Sequence, residues 1–286
     1  MTDIRRNTLR PTSLGHLVRQ ACELDVQALK PGNVSIYSPG HGMSAEDFLR
    51  SAAAIAVPIT APGFSVGERI FRAVEATQTV VSCNTNLGII LLLAPLIQAA
   101  MLSVRQLRDN LALLLLGLNQ SDADWAYRAI RLAKPGGMGN AVRHDIAEPP
   151  QITLREAMRE AASRDQIAAL YVSDYRLLFE RGLPTWFRAM QQWASPQWAT
   201  TAVFLEYLAN APDSLITRKF GAAQSQRVSD AARSFHEKIQ LAQDPSQMRG
   251  LLTTWDQELK QAGLNPGTTA DMTVATVFLA SLQDMR

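Results

Sequence analysis

Between Cys83 and Val104 the chain carries no charged residue, and from Leu87 to Leu102 it is apolar almost without interruption. A helix that is apolar all round must be buried on every side, in lipid or in the middle of a large bundle. The strongly apolar part is shorter than the ~20 residues that a bilayer requires. It also opens on Asn84-Thr85-Asn86 and contains Pro95 and Gln98. The stretch therefore predicts the central helix of a helical core, with residues 111–118 (LALLLLGL) packed beside it, and no membrane span. A chain of 286 residues is long enough to wrap such a helix completely.

The rest of the chain supplies the wrapping. Residues 13–29 place Leu14, Leu17, Val18, Ala21, Leu24 and Ala28 on one helical stripe, which ends where Lys30-Pro31-Gly32 breaks it. The same periodicity predicts helices over 48–59, 66–81, 84–102, 104–118, 121–133, 153–181, 198–210, 222–243, 246–262 and 269–283. No run alternates in the way a strand does. Connections are short and rich in Pro, Gly, Asn and Ser, so the expectation is one all-α domain over residues 1–286.

Composition narrows the function. With 47% hydrophobic and 19% charged residues the chain is globular, and a net charge of +2 offers no concentrated basic face for nucleic acid. Two cysteines, Cys22 and Cys83, make neither a disulfide framework nor a cysteine-type zinc site. The start, MTDIRRNTLRPTS, has no apolar core and reads as no secretory signal, which makes the cytoplasm the expected location.

The chemistry is expected in the breaks between helices. Only five basic residues are lysine, yet two of them precede Pro-Gly: Lys30-Pro31-Gly32 and Lys134-Pro135-Gly136. With Asn265-Pro266-Gly267 they form three compact polar turns. Pro-Gly turns at helix N-termini leave backbone N–H groups free for an anion, and a lysine adds a compact charge. The alternative is that they only punctuate helices. Asn84-Thr85-Asn86 either caps the apolar helix or hydrogen-bonds a base or sugar. Asp165 falls on the apolar stripe of the predicted 153–181 helix, where a carboxylate must be paired, metal-bound or facing a cavity. Thr153-x-x-Glu156 and Thr268-x-x-Asp271 have the capping-box pattern. His16 and His236 read as ordinary helix-surface residues. His41 and His144, in loops, are the better candidates.

Taken in order, these segments resemble the triphosphoribosyl-dephospho-coenzyme A synthase family. The resemblance rests on Lys30-Pro-Gly-Asn-Val-Ser35, Asn84-Thr-Asn-Leu-Gly88, Tyr127-x-Ala-Ile-Arg-Leu-Ala133 with Pro135-Gly-Gly-Met-Gly139, Glu156-Ala-Met with Arg164-Asp165, Pro212-Asp-Ser-Leu-Ile-x-Arg-Lys219 and Asn265-Pro-Gly-Thr-Thr-Ala-Asp271. The wording is closest to the branch found in archaea and methylotrophs. Departures from the citrate-lyase branch are His41-Gly42-Met43, which lacks an Asp, Asp25 in place of Glu, Ser82-Cys83 in place of glycines, and Thr85-Asn86-Leu87-Gly88 in place of Thr-His-Lys-Gly.

The resemblance implies an all-α enzyme that displaces adenine from ATP with an acceptor hydroxyl, giving an α-linked ribosyl triphosphate through an oxocarbenium-like transition state. It implies ATP as substrate with Mg²⁺. Phosphate and nucleotide would be held by Lys30, Gly32, Asn33, Asn84, Thr85, Asn86, Lys134, Gly136, Gly137, Arg218, Lys219, Asn265, Gly267, Thr268 and Thr269. Asp145, Asp165 and Asp271 would be the catalytic carboxylates, and Asp25, Asp165 and Asp271 the metal ligands. The acceptor is a cofactor precursor: dephospho-CoA or, given the departures, a one-carbon coenzyme precursor of the tetrahydromethanopterin type. Two alternatives stay open: a phosphoribosyltransferase using phosphoribosyl pyrophosphate, and a non-catalytic helical nucleotide-binding or assembly protein. Expected partners are small molecules, not nucleic acid or membrane, and a homo-oligomer stays open.

Overall fold

A computed structural model describes residues 9–137 and 145–285 of the chain. Among the described residues there are fourteen α-helices and no strand. In chain order they are α1 (Pro11–Gln27), α2 (Ala45–Ile55), α3 (Val66–Val80), α4 (Leu87–Leu102), α5 (Leu107–Leu116), α6 (Gln120–Ala133) and α7 (Leu154–Ala161). These are followed by α8 (Gln166–Val172), α9 (Leu183–Trp193), α10 (Pro196–Asn210), α11 (Ser214–Phe220), α12 (Ala222–Leu241), α13 (Arg249–Gln261) and α14 (Gly267–Gln283). The fold is all-α, a single domain built round α4.

Helix α4 is the buried apolar helix that its composition predicts, with only its ends touching solvent or cleft. It packs on α3, α5 and α14, while α14 also contacts α1, α9 and α10. Helices α4 and α5 meet at a bend of 118°, and no single helix among the described residues is long and apolar enough to cross a membrane. A second apolar cluster joins Phe204 and Leu208 of α10 to Ile239 of α12 and Leu252 and Trp255 of α13.

Proline inside a buried helix leaves the carbonyl four residues earlier without its N–H partner. In α4 that proline is Pro95 and the carbonyl is Leu91. The hydroxyl of Tyr171 donates to the Leu91 oxygen at 2.6 Å, and that of Tyr175 donates to the Leu92 oxygen at 3.2 Å. Both tyrosines are fully buried. Tyr171 thus supplies from another segment the hydrogen bond that the proline removes, and Tyr175 adds a second bond one residue on.

The structure corrects the predicted helix over 153–181. The segment forms α7 and α8, separated by a break at 162–165. A left-handed pair, Asp174 and Tyr175, follows α8, and then a π-helical turn, Leu178–Gly182. Asp165 is therefore not on an apolar stripe: it is the N-cap of α8, accepting from the Ala168 N–H at 3.0 Å. Asparagine, aspartate and serine compete with helix continuation in this way. Thr153 and Glu156 do form the expected capping box at α7. Thr268 and Asp271 do not form one, because α14 starts at Gly267 and Asp271 lies in its second turn.

Candidate active site

A cleft of about 1010 Å³ opens at one end of α4. That volume lies at the upper end of the range for small-molecule sites. The N-terminal segments of four helices reach it: Asn84 to Gly88 at α4, Asp165 to Ala168 at α8, Leu215 in α11, and Gly267 to Asp271 in α14. Helix N-termini carry partial positive charge and free N–H groups, which favour anions.

Of the residues expected from the sequence, the cleft is lined by Asp25, Asn33, Asn84, Thr85, Asn86, Lys134, Gly136, Gly137, Asp145, Asp165, Arg218, Lys219, Asn265, Gly267, Thr268 and Asp271. Lys30, Gly32 and Thr269 do not line it. His41 does; His144, Met138 and Gly139 lie outside the described residues.

The three Pro-Gly turns prove different from one another. At Pro31-Gly32 the chain needs glycine, since φ is +82° and a Cβ would press on the Leu264 carbonyl at 2.8 Å. Its N–H is not free for an anion, because it donates to Asp256 Oδ1 at 2.8 Å. Lys30 has no exposed surface. Its ammonium sits 3.1 Å from Asp25 and donates to Asn33 Oδ1 at 2.6 Å. The expected phosphate lysine is thus the buried counter-charge of a cleft carboxylate. Pro135-Gly136 follows the C-terminus of α6, where Lys134 caps the helix in a left-handed conformation. Only Pro266-Gly267 opens a helix, α14.

The cationic side of the cleft is built by α11 and the loop after α6. Arg218 lies 3.4 Å from Asp165 and donates through Nε to the Gly136 carbonyl at 3.4 Å. Lys219 packs against Gly136 and Gly137. Helix α11 is held by Asp213, a fully buried carboxylate to which the sequence reading gave no role. The polar cap of α4 is also tied down: Asn84 accepts from the Leu87 N–H at 3.1 Å, Thr85 donates to Ser51 at 2.7 Å, and Asn86 accepts from Thr77 at 3.1 Å. Asn33 donates to Asn265 at 2.9 Å. Asp145 accepts from the Ala147 N–H at 2.8 Å.

Asp271 differs from these groups. It carries no hydrogen bond or ion pair among the described residues. Its carboxyl group lies against Gly88, where any Cβ would overlap it. Burial first, then the charges of Asp25, Asp213 and Asp165, push its pKa well above the carboxylate range, with Lys30 acting the other way. Asp25 is also raised by burial, against the opposing pull of Lys30. Among the described residues no three His, Cys, Asp or Glu side chains are close enough to hold a metal ion together. The expected trio of Asp25, Asp165 and Asp271 is therefore not a ready-made metal cage; Asp25 is tied to Lys30 and Asp165 to Arg218.

The other walls are apolar. Met43, Phe48, Ile89, Ile130, Met158 and Ile167 line the cleft, with Tyr127 and Arg164 at polar positions. Most of these escaped the sequence reading because an apolar residue gives no local sign of facing a cleft instead of the core. An all-α cleft with helix N-termini, cations, an apolar wall and a carboxylate that has no partner among the described residues has the chemistry to take an anionic small molecule. A model of the ATP:dephospho-CoA triphosphoribosyl transferase family (CitG) matches residues 11–286, and the chain belongs to that family. It is accordingly a transferase. Among solved structures it is similar to a protein from Archaeoglobus fulgidus that carries the provisional name triphosphoribosyl-dephospho-CoA synthase. The two share 25% identity over 83% of this chain and 100% of that one, with a TM-score of 0.64. A search of curated proteins finds no match.

Proposed function

We propose that the chain transfers the triphosphorylated ribosyl group of ATP to a hydroxyl of dephospho-CoA, with release of adenine. The observation that carries this reading is one cleft holding Lys134, Arg218 and Lys219 together with Asp271, which has no partner among the described residues. The family description and the name of the similar structure both contain dephospho-CoA. Neither contains a one-carbon coenzyme precursor, so that expectation finds no support in them.

In this reading the cations and the α14 N-terminus hold the triphosphate. The apolar wall takes the adenine. The acceptor hydroxyl attacks C1′ of the ribose, the C1′–N9 bond breaks, and the departing adenine takes the electron pair. A single displacement inverts the β-glycosidic carbon to α. The hydroxyl proton goes to a cleft carboxylate and the adenine is protonated as it leaves, which is general acid–base work. Asp271 and Asp25 stand closest to the requirement, with Asp145 and Asp165 on the same cleft. Mg²⁺ suits this donor set, because it is bound through one or two carboxylates and completes its shell with substrate phosphates. Asp271, raised by burial and like charges, is the residue that gains most from a cation. Bound Mg²⁺ would neutralise charge on the triphosphate.

Chromatography of a reaction containing ATP, Mg²⁺ and dephospho-CoA tests the proposal. Adenine appearing only when dephospho-CoA is present, with a product heavier by one triphosphoribosyl unit, is the expected result. Pyrophosphate release from phosphoribosyl pyrophosphate, with no adenine from ATP, would replace it with a different donor chemistry.

A further inference from the structure

Asp213 has no exposed surface and does not line the cleft. Its Oδ1 accepts from the N–H groups of Leu215 and Ile216 at 2.8 and 3.0 Å, an ordinary cap for α11. Its Oδ2 accepts from the backbone N–H and the hydroxyl of Thr269, both at 2.8 Å. The second pair of bonds belongs to another helix. Capping does not need it.

The two helices joined in this way carry complementary parts of the site. Arg218 and Lys219 lie on α11, and Asp271 lies on α14 two residues beyond Thr269. A hydroxyl contact between Ser214 and Thr268 at 3.1 Å runs alongside. Four donors converge on one group that can offer no donor of its own, a task that fits an ionised carboxylate. Burial opposes that charge, so the hydrogen bonds must hold it in place.

We propose that Asp213 is a positioning residue for group transfer: a buried carboxylate that fixes the cation-bearing helix α11 in register with the Asp271-bearing helix α14. The proposal rests on the transfer reading above. The reasoning is geometric. Phosphate contacts on one helix and a carboxylate on another must meet one substrate together, and reacting groups tolerate little misplacement.

Asp213→Asn separates the two roles. Its remaining oxygen still caps α11, while its amide now faces the Thr269 N–H, donor against donor. We expect kcat for adenine release to fall by about 10–100-fold, in line with a displacement of 1 Å or less. The calorimetric Kd for ATP should change far less, because both cations stay on α11. Ile239→Ala, in the fully buried part of α12, is the stability control. It should lower the melting temperature without lowering kcat at a temperature where the protein is folded. If Asp213→Asn behaves as Ile239→Ala does, Asp213 is only a cap and the proposal is wrong.

Should Asp213→Asn not fold, Thr269→Val removes one of the two α14 bonds and keeps the N–H. It should show the same loss confined to kcat, in smaller measure, and a parental kcat would overturn the proposal. If the parent protein releases no adenine, the transfer reading has failed, and the register is then read directly by hydrogen exchange. Amides at the start of α14 must exchange faster in Asp213→Asn than in Ile239→Ala; equal protection would overturn the positioning role on its own.

Discussion

Around Pro95, α4 is enclosed by apolar side chains, and its backbone defect, the Leu91 carbonyl, is repaired by a tyrosine from outside the helix. Around Gly88, roughly 10 Å back along the same helix at 1.5 Å per residue, the helix meets the Asp271 carboxyl group, which no side chain among the described residues neutralises. In the middle of α4 the carbonyl that Pro95 orphans finds a donor, although Gln98 Oε1, one turn further on, is buried without one. At its N-terminal end the buried Asn86 Nδ2 and the Asp271 carboxyl group both lack a partner among the described residues. Asp271 is half-buried and lines the cleft, so a ligand bound there can supply the partner that the described residues do not.

The largest effect should come from the unsatisfied end. Asparagine is nearly isosteric with a protonated carboxyl group, so Asp271→Asn should fold with almost normal stability. It lacks the negative charge that holds a hard cation or takes a proton. Adenine release should fall by about 10²–10⁴-fold, the range that general acid–base groups contribute. Melting curves and an adenine assay on the same preparation decide the matter. Unfolding, or full turnover, would remove Asp271 from the centre of the site.

Lys30 sharpens the contrast from the other direction, since it is a site-end charge that is already satisfied. Lys30→Ala leaves Asp25 buried without its counter-charge. Breaking a buried pair in this way costs about 3–5 kcal/mol, so urea unfolding should show a large loss of stability. A stable variant with weakened ATP binding would restore the phosphate role that the sequence suggested.

That reversal shows what could be read in advance. The uncharged run at 83–104 announced a buried central helix, and a capping box announced the start of α7, because both signals are local. The break before α8 is a competition between an Asp165 cap and helix continuation, which periodicity alone does not resolve. Helix α9 was missed because Pro184 reads as a breaker although it occupies the first turn. Helix α11 was missed because seven residues are too few to show a stripe. At the site, motif residues did converge on one cleft. Which of them face a ligand and which face each other depends on partners far away in sequence, as with Gly32 and Asp256, or Asp213 and Thr269.

The cationic wall is expected to respond more mildly. On the proposed reading, Lys219→Ala and Lys134→Ala each remove one charge-assisted contact to phosphate, worth about 1.5–3 kcal/mol. Titration calorimetry should show that loss in ATP affinity, while the melting temperature stays near the parent's because both lysines are exposed. Unchanged affinity in both variants would leave the helix N-termini, not the lysines, as the phosphate contacts.

The smallest expected effect lies at the repaired end of α4. Tyr171→Phe removes one hydroxyl and no apolar surface. The Leu91 carbonyl cannot recover its helical partner, because residue 95 is proline and has no N–H to give. A buried acceptor left alone costs about 1–3 kcal/mol, and denaturant unfolding should register that loss with an unchanged slope. Turnover by the folded protein should persist, since Tyr171 does not line the cleft. The neighbouring Tyr175, whose ring centroid lies 5.8 Å away, already donates to Leu92. If Tyr171→Phe proves neutral, that second hydroxyl has moved to Leu91, and adding Tyr175→Phe should then expose the full cost. Should the double variant also be neutral, the Leu91 carbonyl has a donor of another kind, and the tyrosines would not be what repairs α4 at Pro95.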